Sequence, residues 1–447
     1  MRKNKKMYAI SLVFLGILTS FSSTYAYWQG LVDFSDNNGK GTIKIGNWGF
    51  GGISTPADNI PEYDPTTNAP NDSFVYFDGD YYVVRYSSST TPGTSGPYGP
   101  YNIVSYEYVP NNTYTQGSVV YYNNDFYIAL NGGGNVTGVS PDASAVNGWY
   151  NMTSINFKNN QAFRMNDFTI YNGVLYHTTE DSAYNNTAAN PNVSGYWRIA
   201  NTLEYSPYAR YSTNEIVSYN GLYYKQNWGG PSVRGTPGVE SSWSLVTLPT
   251  YSSGTTYSNG QIILYNSIPY QVTNSALTAS RAPGSYPGVY KKLGTYVYSS
   301  NNSYEVGDVV LYDGKYYKAV NKQRAQDNVP GTVNNSWNLL NTAEYQPLNT
   351  YKVGDYVMYQ GNAYYVYNET NANLHAPNTY ESAWNVYGTL TYNKYTVYGL
   401  NTYVGDSYTK TVVVYNGVAY VARMQSVNKT PPTRPATSNT YWEEYTP

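Results

Sequence analysis

The chain has 447 residues, a formal net charge of −2 and no cysteine. These numbers exclude a strong basic field for nucleic acid, and they exclude disulfide or thiolate chemistry. Aromatic residues make up 17% of the chain, tyrosine alone supplies 57 positions, and charged residues are only 12%.

The first 26 residues have the pattern of a secretory signal peptide. A basic start is followed by an apolar run over residues 10–18 and by a candidate cleavage site at Thr24-Tyr25-Ala26. The apolar run is short for a membrane span, although an uncleaved anchor is the alternative interpretation. We therefore expect a secreted, extracellular protein that works at the cell surface or in a matrix.

Residues 27–69 are predicted to form one short strand and a linker. The alternation Thr42-Ile43-Lys44-Ile45 indicates the strand. The stretch that follows is rich in glycine, proline and asparagine, a composition typical of linkers.

One pattern then recurs eight times, at intervals of about 47 residues, which is the signature of a tandem array. We number the predicted units modules 1 to 8, and module 1 is the most divergent copy. They cover residues 70–107, 108–157, 158–205, 206–250, 251–297, 298–344, 345–391 and 392–447. The predicted fold class is all-β, a tandem array of small antiparallel β-sheet modules.

Each module carries a β-hairpin signal, in which two turn residues separate two short β-rich runs. In module 6 these residues are Asp313-Gly314, a pair that favours the positive φ values of a two-residue hairpin loop. With this loop, Val310 pairs with Tyr317, and strand alternation puts both side chains on one face.

That face, which also includes Tyr312 and Ala319, is predicted to be the core of the module. An aromatic residue at the position of Trp337 closes it in every module. The opposite face carries Tyr316 and its counterparts, which vary in type, and it could serve either ligand binding or contact between modules.

Module 6 resembles the type 3 chitin-binding module, a small carbohydrate-binding domain often appended to chitinases. The resemblance rests on Tyr304, Gly307-Asp308, Val310, Tyr312-Asp313-Gly314, Tyr317-Lys318-Ala319, Pro330 and Trp337. It extends over eight degenerate tandem copies behind the leader. It implies a three-stranded antiparallel module that binds chitin or a related insoluble polysaccharide.

The family usually exposes one or two aromatic ligand-binding residues just after its Tyr-Lys-Ala segment. By this correspondence the resemblance implies carbohydrate-binding roles for Trp228, Tyr86 and Tyr367. Packing between modules is the alternative role for these rings. The other modules depart from the family at the equivalent places, which hold Asn131, Glu180, Asn274, Asn321 and Met424.

The sequence offers little for catalysis. A glycosidase needs two carboxylates about 5–9 Å apart, but the acidic residues are scattered. The only histidines, His177 and His375, are far apart in the chain. We therefore expect no enzymatic activity, no cofactor and no metal site.

These features predict a secreted, non-catalytic, multivalent carbohydrate-binding or adhesive protein. Its expected partner is a chitin-like or other GlcNAc-containing polysaccharide, such as chitin or a cell-wall glycan, engaged through exposed aromatics. Nucleic acid and, after leader cleavage, membrane are not expected partners. One alternative is a structural stalk, fibre or biofilm-matrix component that self-associates and binds little or no glycan. A second is an accessory chain of a glycoside hydrolase (chitinase) system.

Overall fold

The computed structural model describes much of the chain from residue 56 onward. The described ranges are 56–86, 90–93, 101–110, 112, 114, 116–129, 140–142, 148–158, 163–179, 191, 197–207, 209–228, 235–399, 401–404 and 407–447. The predicted leader and the predicted strand at Thr42–Ile45 lie outside these ranges. Within them, no helix combines the length and the apolar character needed to cross a membrane.

Eight separate three-stranded antiparallel sheets follow one another along the chain, which confirms the predicted fold class. In modules 1 to 4 the strands are β1 (Phe74–Phe77), β2 (Asp80–Val84), β3 (Tyr101–Ile103), β4 (Val119–Tyr122), β5 (Asp125–Ala129), β6 (Trp149–Asn151), β7 (Phe168–Tyr171), β8 (Val174–Thr178), β9 (Trp197–Ile199), β10 (Ile216–Tyr219), β11 (Leu222–Gln226) and β12 (Trp243–Val246).

Modules 5 to 8 repeat this plan and add short helices and one extra hairpin. Their strands are β13 (Ile262–Tyr265), β14 (Ile268–Val272), β15 (Tyr290–Lys292), β16 (Val309–Tyr312), β17 (Lys315–Ala319), β18 (Trp337–Leu339), β19 (Tyr356–Tyr359), β20 (Asn362–Val366), β21 (Trp384–Tyr387), the extra pair β22 (Asn401–Val404) and β23 (Ser407–Lys410), then β24 (Val412–Tyr415), β25 (Val418–Ala422) and β26 (Trp442–Glu444). The helices are a 3₁₀ turn at Ser275–Leu277, α1 (Lys322–Asp327) and α2 (Glu369–Ala372).

The hairpin loops set the register of every sheet. Asp313 and Gly314 have φ values of 49° and 71°, and all eight loops have positive φ at both central residues. Such loops twist in the same sense as the strands that they join. Val310 is therefore opposite Tyr317, as the sequence predicts.

The core of each module is built from aromatic rings on the predicted face. In module 6 the ring of Tyr298 stacks on Tyr304 with a centroid distance of 5.6 Å, and it meets Tyr312 and Trp337 edge-on at 5.3 and 5.9 Å. Tyr312 lies at the rim and stays 37% exposed, whereas Trp337 is 1% exposed. Rings in these geometries stabilise beyond their buried area, which suits modules that have no disulfide.

The central ring of this cluster is a feature that the predicted core does not include. Its counterparts in six other modules make the same edge-on contacts. Five of them also make the stacked contact, and in module 5 the equivalent pair is tilted by 34°. The six counterparts are Tyr108, Phe157, Tyr205, Tyr251, Tyr345 and Tyr392.

A hydroxyl at the Tyr304 position ties the core to the backbone. The Tyr304 hydroxyl accepts a hydrogen bond from the Ser299 N–H at 2.7 Å and donates one to the Ser299 carbonyl at 3.0 Å. Burial raises the pKa of Tyr304 to about 12. Module 3 has Phe163 at this place and lacks these bonds.

Module 1 begins earlier than its predicted start at residue 70. Ala57 and Ile60 are buried at 2% and 4% exposure, and Glu62 forms a parallel bridge with Tyr76. The same kind of parallel bridge joins a residue upstream of the sheet to the first strand in all eight modules. Part of the predicted linker therefore packs on the face of this sheet opposite the core, because its few apolar residues meet a second sheet there.

That second sheet belongs to a distant module. The faces opposite the cores pack in pairs, with module 1 against module 8, module 2 against module 7, and module 3 against module 6. The described array thus folds back on itself. The Tyr316 position serves inter-module contact in these six modules, where its occupants are Tyr81, Phe126, Leu175, Tyr316, Ala363 and Ala419.

Consecutive modules are joined through the edge of each third strand. At the junction of modules 5 and 6, the Lys292 N–H donates to Asn302 Oδ1 at 2.6 Å, and Lys291 Nζ pairs with Asp308 Oδ1 at 2.6 Å. Such contacts cover a sheet edge that would otherwise be open to pairing with another chain.

Candidate functional site

Among the tryptophans that the structure describes, Trp228 stands outside the cores. It follows strand β11 of module 4, and its side chain is 59% exposed. Every other tryptophan of the described residues closes a module and is 0–6% exposed: Trp149, Trp197, Trp243, Trp337, Trp384 and Trp442. Among the described residues, no aromatic ring or cationic group lies against Trp228.

The backbone beside Trp228 is held by neutral polar side chains. Asn227 Nδ2 donates to the Ser241 carbonyl at 2.9 Å, and Ser244 Oγ donates to Asn227 Oδ1 at 2.9 Å. Gln226 Nε2 donates to the Trp228 carbonyl at 3.1 Å. The exposed indole is therefore flanked by amide and hydroxyl groups on an ordered stretch of chain.

Tyr86 occupies the same register in module 1, four positions after Tyr82, and it is 45% exposed. Tyr367 of module 7 is 39% exposed but stands one position earlier. Its N–H donates to the Ala383 carbonyl at 3.0 Å, which is the bond that the Asn227 N–H makes in module 4. The three predicted site residues thus lie on three different sheets, and Tyr367 corresponds to Asn227.

The Tyr367 hydroxyl also links two modules, because it accepts a hydrogen bond from Gln425 Nε2 of module 8 at 3.2 Å. This bond favours a packing role for Tyr367. Within the described ranges, Trp228 has no equivalent side-chain bond.

Where the equivalent position is not aromatic, the structure shows a capping role in module 5. The Asn274 side chain accepts a hydrogen bond from the Ala276 N–H at 3.1 Å and caps the 3₁₀ turn. Met424 of module 8 is 43% exposed. Asn131 and Glu180 lie outside the described residues.

Two further exposed aromatics escaped the sequence analysis. Tyr380 stacks on the His375 imidazole with a centroid distance of 4.0 Å, and the Arg281 guanidinium lies 4.8 Å from the centre of the Tyr286 ring. Both tyrosines stand outside the repeated positions, and that departure is the signal that could have found them. Each of these two rings already has one face against another group.

The titratable groups do not assemble a catalytic or metal-binding arrangement in the part of the chain that the structure describes. Burial, followed by the charge of Arg198, lowers the pKa of His177 to about 4, so this imidazole is neutral at physiological pH. His375 lies in module 7, on another sheet. No group of three or more acidic or histidine side chains among the described residues could hold a metal ion.

The comparisons with known proteins leave the family open. No model of a known protein family matches the chain, and no curated protein matches it. Ligand binding must therefore be argued from the exposed aromatic positions themselves.

Proposed function

We propose that this protein is a non-catalytic, multivalent glycan-binding protein of the extracellular space. Its ligand would be a GlcNAc-containing polysaccharide, such as chitin or a cell-wall glycan. The observation that carries the proposal is the exposure of Trp228, an indole that is 59% exposed beside neutral hydrogen-bonding groups. The leader-like start of the chain supports secretion.

The physical basis is the two-sided character of a sugar ring. One face of a pyranose presents C–H groups that pack on a flat aromatic ring, and its rim presents hydroxyls that need polar partners. Trp228 offers the ring, while Asn227 and Ser244 offer amide and hydroxyl groups next to it.

A single shallow site of this kind is weak, with a Kd of about 1 mM, or about 4 kcal/mol. Tyr86 and Tyr367 would add contacts on other modules if the glycan reaches them. Linked sites that engage one polymer together gain about 10²–10⁴ in avidity without new contacts. The packing of module 1 against module 8 and of module 2 against module 7 holds the modules of Tyr86 and Tyr367 in place, which limits the ordering cost of binding.

The test is retention of the purified chain on insoluble chitin, cellulose and peptidoglycan. Trp228→Ala is expected to reduce retention on the matrix that binds the wild type. Tyr286→Ala is the matched control, because it removes an exposed ring whose face Arg281 already covers. Retention of Trp228→Ala equal to that of the wild type would exclude Trp228 from the site.

The paired packing also favours a second candidate function, a structural stalk, fibre or matrix component. Burying the second face of six sheets between distant modules gives a stiff unit rather than a flexible string of binding domains. A purely structural chain would stay in the supernatant with all three matrices. It would also self-associate with rising concentration in sedimentation velocity.

If the protein is retained on chitin, a third candidate function is an accessory role in a chitinase system. We expect the isolated chain to release no soluble sugar from chitin. Release would show instead that the chain itself is catalytic.

A further inference from the structure

The third strand of each sheet has an outer edge, and a backbone donor on this edge is covered in at least five modules. The donor is the N–H two positions after the closing aromatic residue. In modules 1, 5, 6 and 7 it donates to a side chain of the next module, in the pairs Ile103 with Asn112, Lys292 with Asn302, Leu339 with Asn349 and Val386 with Thr396. In module 8 the Glu444 N–H donates to the Thr437 carbonyl of its own loop. These bonds keep another chain from adding a strand there.

The junction of modules 4 and 5 is the exception. Leu245 of β12 holds the equivalent position. Its N–H and carbonyl point outward, because the Asn227 N–H bonds to the Ser242 carbonyl and the inward groups alternate along a strand. Among the described residues, neither outward group of Leu245 has a hydrogen-bond partner. Thr255, the counterpart of Asn302 on the module 5 side, is exposed. Both sides of this junction are therefore uncovered.

The Leu245 side chain shows the same departure. It is 63% exposed, whereas its counterpart in each of the other seven modules is buried or half-buried. Leu222 is exposed as well. It lies on the same face of the sheet as Leu245, because Leu245 pairs with Tyr224 and side chains alternate along a strand. Strand β12 therefore offers open main-chain groups beside exposed apolar side chains.

The chain passes from one arm of the array to the other at this junction. Module 3 packs on module 6, and the Asn201 carbonyl at the end of module 3 accepts from the Gly294 N–H at the end of module 5 at 2.6 Å. Modules 1–4 and modules 5–8 are thus two arms that run in opposite directions. The edge contact is absent where the chain reverses, so the fold itself leaves β12 open.

Strand β12 also lacks the features that protect open edges. Natural edge strands are commonly blocked by charged residues, prolines or bulges. Strand β26 carries Glu443 and Glu444, and β15 carries Lys291 and Lys292. The segment 243–248 reads Trp-Ser-Leu-Val-Thr-Leu and holds neither a charge nor a proline. An uncharged edge suits a partner strand of the same sequence, because charged residues would face their own kind across the pairing.

We propose that β12 is a docking edge for β12 of a second copy of this chain. The two strands run antiparallel about a twofold axis at Leu245, so that each Leu245 N–H donates to the Leu245 carbonyl of the other copy. The two exposed Leu245 side chains are neighbours across the axis, and Ser244 stands opposite Val246. The three-stranded sheets of the two copies then form one six-stranded sheet.

This contact uses the same surface on both copies and is closed by the twofold axis, so association ends at the dimer. The inference does not rest on glycan binding. It also differs from the second candidate function, because a closed dimer does not grow into a fibre.

The first test is a cysteine cross-link. The chain has no cysteine, so Leu245→Cys introduces a single thiol. Residues of a hydrogen-bonded antiparallel pair have Cα atoms about 5.5 Å apart, within the range of about 4.4–6.8 Å that a disulfide spans. Val306→Cys is the matched control, because Val306 is 65% exposed in a turn of module 6. Under mild oxidation at equal concentration, Leu245→Cys should form dimers about tenfold faster, because pairing holds its thiols together. Equal rates would overturn the proposal.

The second test is sedimentation equilibrium of the chain without cysteine. The wild type should pass from monomer to dimer over about a hundredfold rise in concentration and form nothing larger. Leu245→Lys places two positive charges across the axis and should stay monomeric, while Val306→Lys should dimerise as the wild type does. Both changes replace exposed side chains, so both chains should fold. A wild type that stays monomeric, an equal dimerisation of Leu245→Lys, or growth beyond the dimer would contradict the twofold pairing of β12.

Discussion

Substitution of Phe126 by Ala should weaken a module more than two hundred residues away. Phe126 is 0% exposed on the second face of module 2, and its ring lies 5.7 Å from that of Tyr356 in module 7. Met358 and Ala363 of module 7 belong to the same buried cluster. Truncating such a phenylalanine costs about 3–5 kcal/mol, because contacts are lost and a cavity remains.

If modules 2 and 7 open together, this loss accelerates amide exchange in both by about 10²–10⁴-fold, at 1.4 kcal/mol per decade. Hydrogen exchange followed by mass spectrometry would measure it on peptides that cover β5 and β20. Trp228→Ala is the control, because removal of an exposed ring should change stability by less than about 0.5 kcal/mol. Unchanged protection of β20 in Phe126→Ala would refute the coupling of distant modules.

The remaining predictions concern single modules and pH. Tyr304→Phe leaves the Ser299 N–H without its partner, so the free energy of unfolding measured in urea should fall by about 1–3 kcal/mol. An unchanged urea midpoint would contradict the role of the hydroxyl. Gly314→Ala places a side chain at φ 71° and should cost about 1–2 kcal/mol in a thermal melt, with Gly314→Asn closer to the wild type. The pKa of His177 falls from 6.5 to about 4 on folding, so the stability that it contributes above pH 6.5 should be lost as the pH falls toward 4. A His177→Gln chain whose stability depends on pH as the wild type's does would argue against this role of His177. The pKa of Tyr304 rises from 10 to about 12, so its contribution to the free energy of unfolding should be lost as the pH rises between these values, measured as the difference between the wild type and Tyr304→Phe in urea unfolding.

Local chemistry made the module predictable. The register of Val310 against Tyr317 depends on a two-residue loop whose Asp313-Gly314 pair favours positive φ, and this requirement acts within a few residues. Because the sequence pattern recurs at a regular interval, the same sheet recurs along the chain. The buried Trp337 was predictable for the same reason, since one large ring recurs at one place in each unit.

Contacts that depend on packing were harder to see. Tyr298 is one tyrosine among 57, and only the stacked and edge-on contacts around it show that it is the centre of the core. Ala57 and Ile60 stand in a stretch whose composition favours a linker, and the sheet that covers them belongs to module 8. At the candidate site, the spacing in the sequence selected Trp228, whose sugar contact stays a prediction, and the structure added its exposure.

The sequence by itself determined the repeating hairpin and its register, because both depend on neighbours a few positions away, and its period determined the ring that closes each unit. It left open whether the Tyr316 face binds ligand or another module. Tertiary structure decided that question, by pairing modules 1 with 8, 2 with 7 and 3 with 6. These faces are similar in sequence, and the residues near each face do not identify its partner. The pairing therefore depends on how whole apolar surfaces fit together across the folded chain.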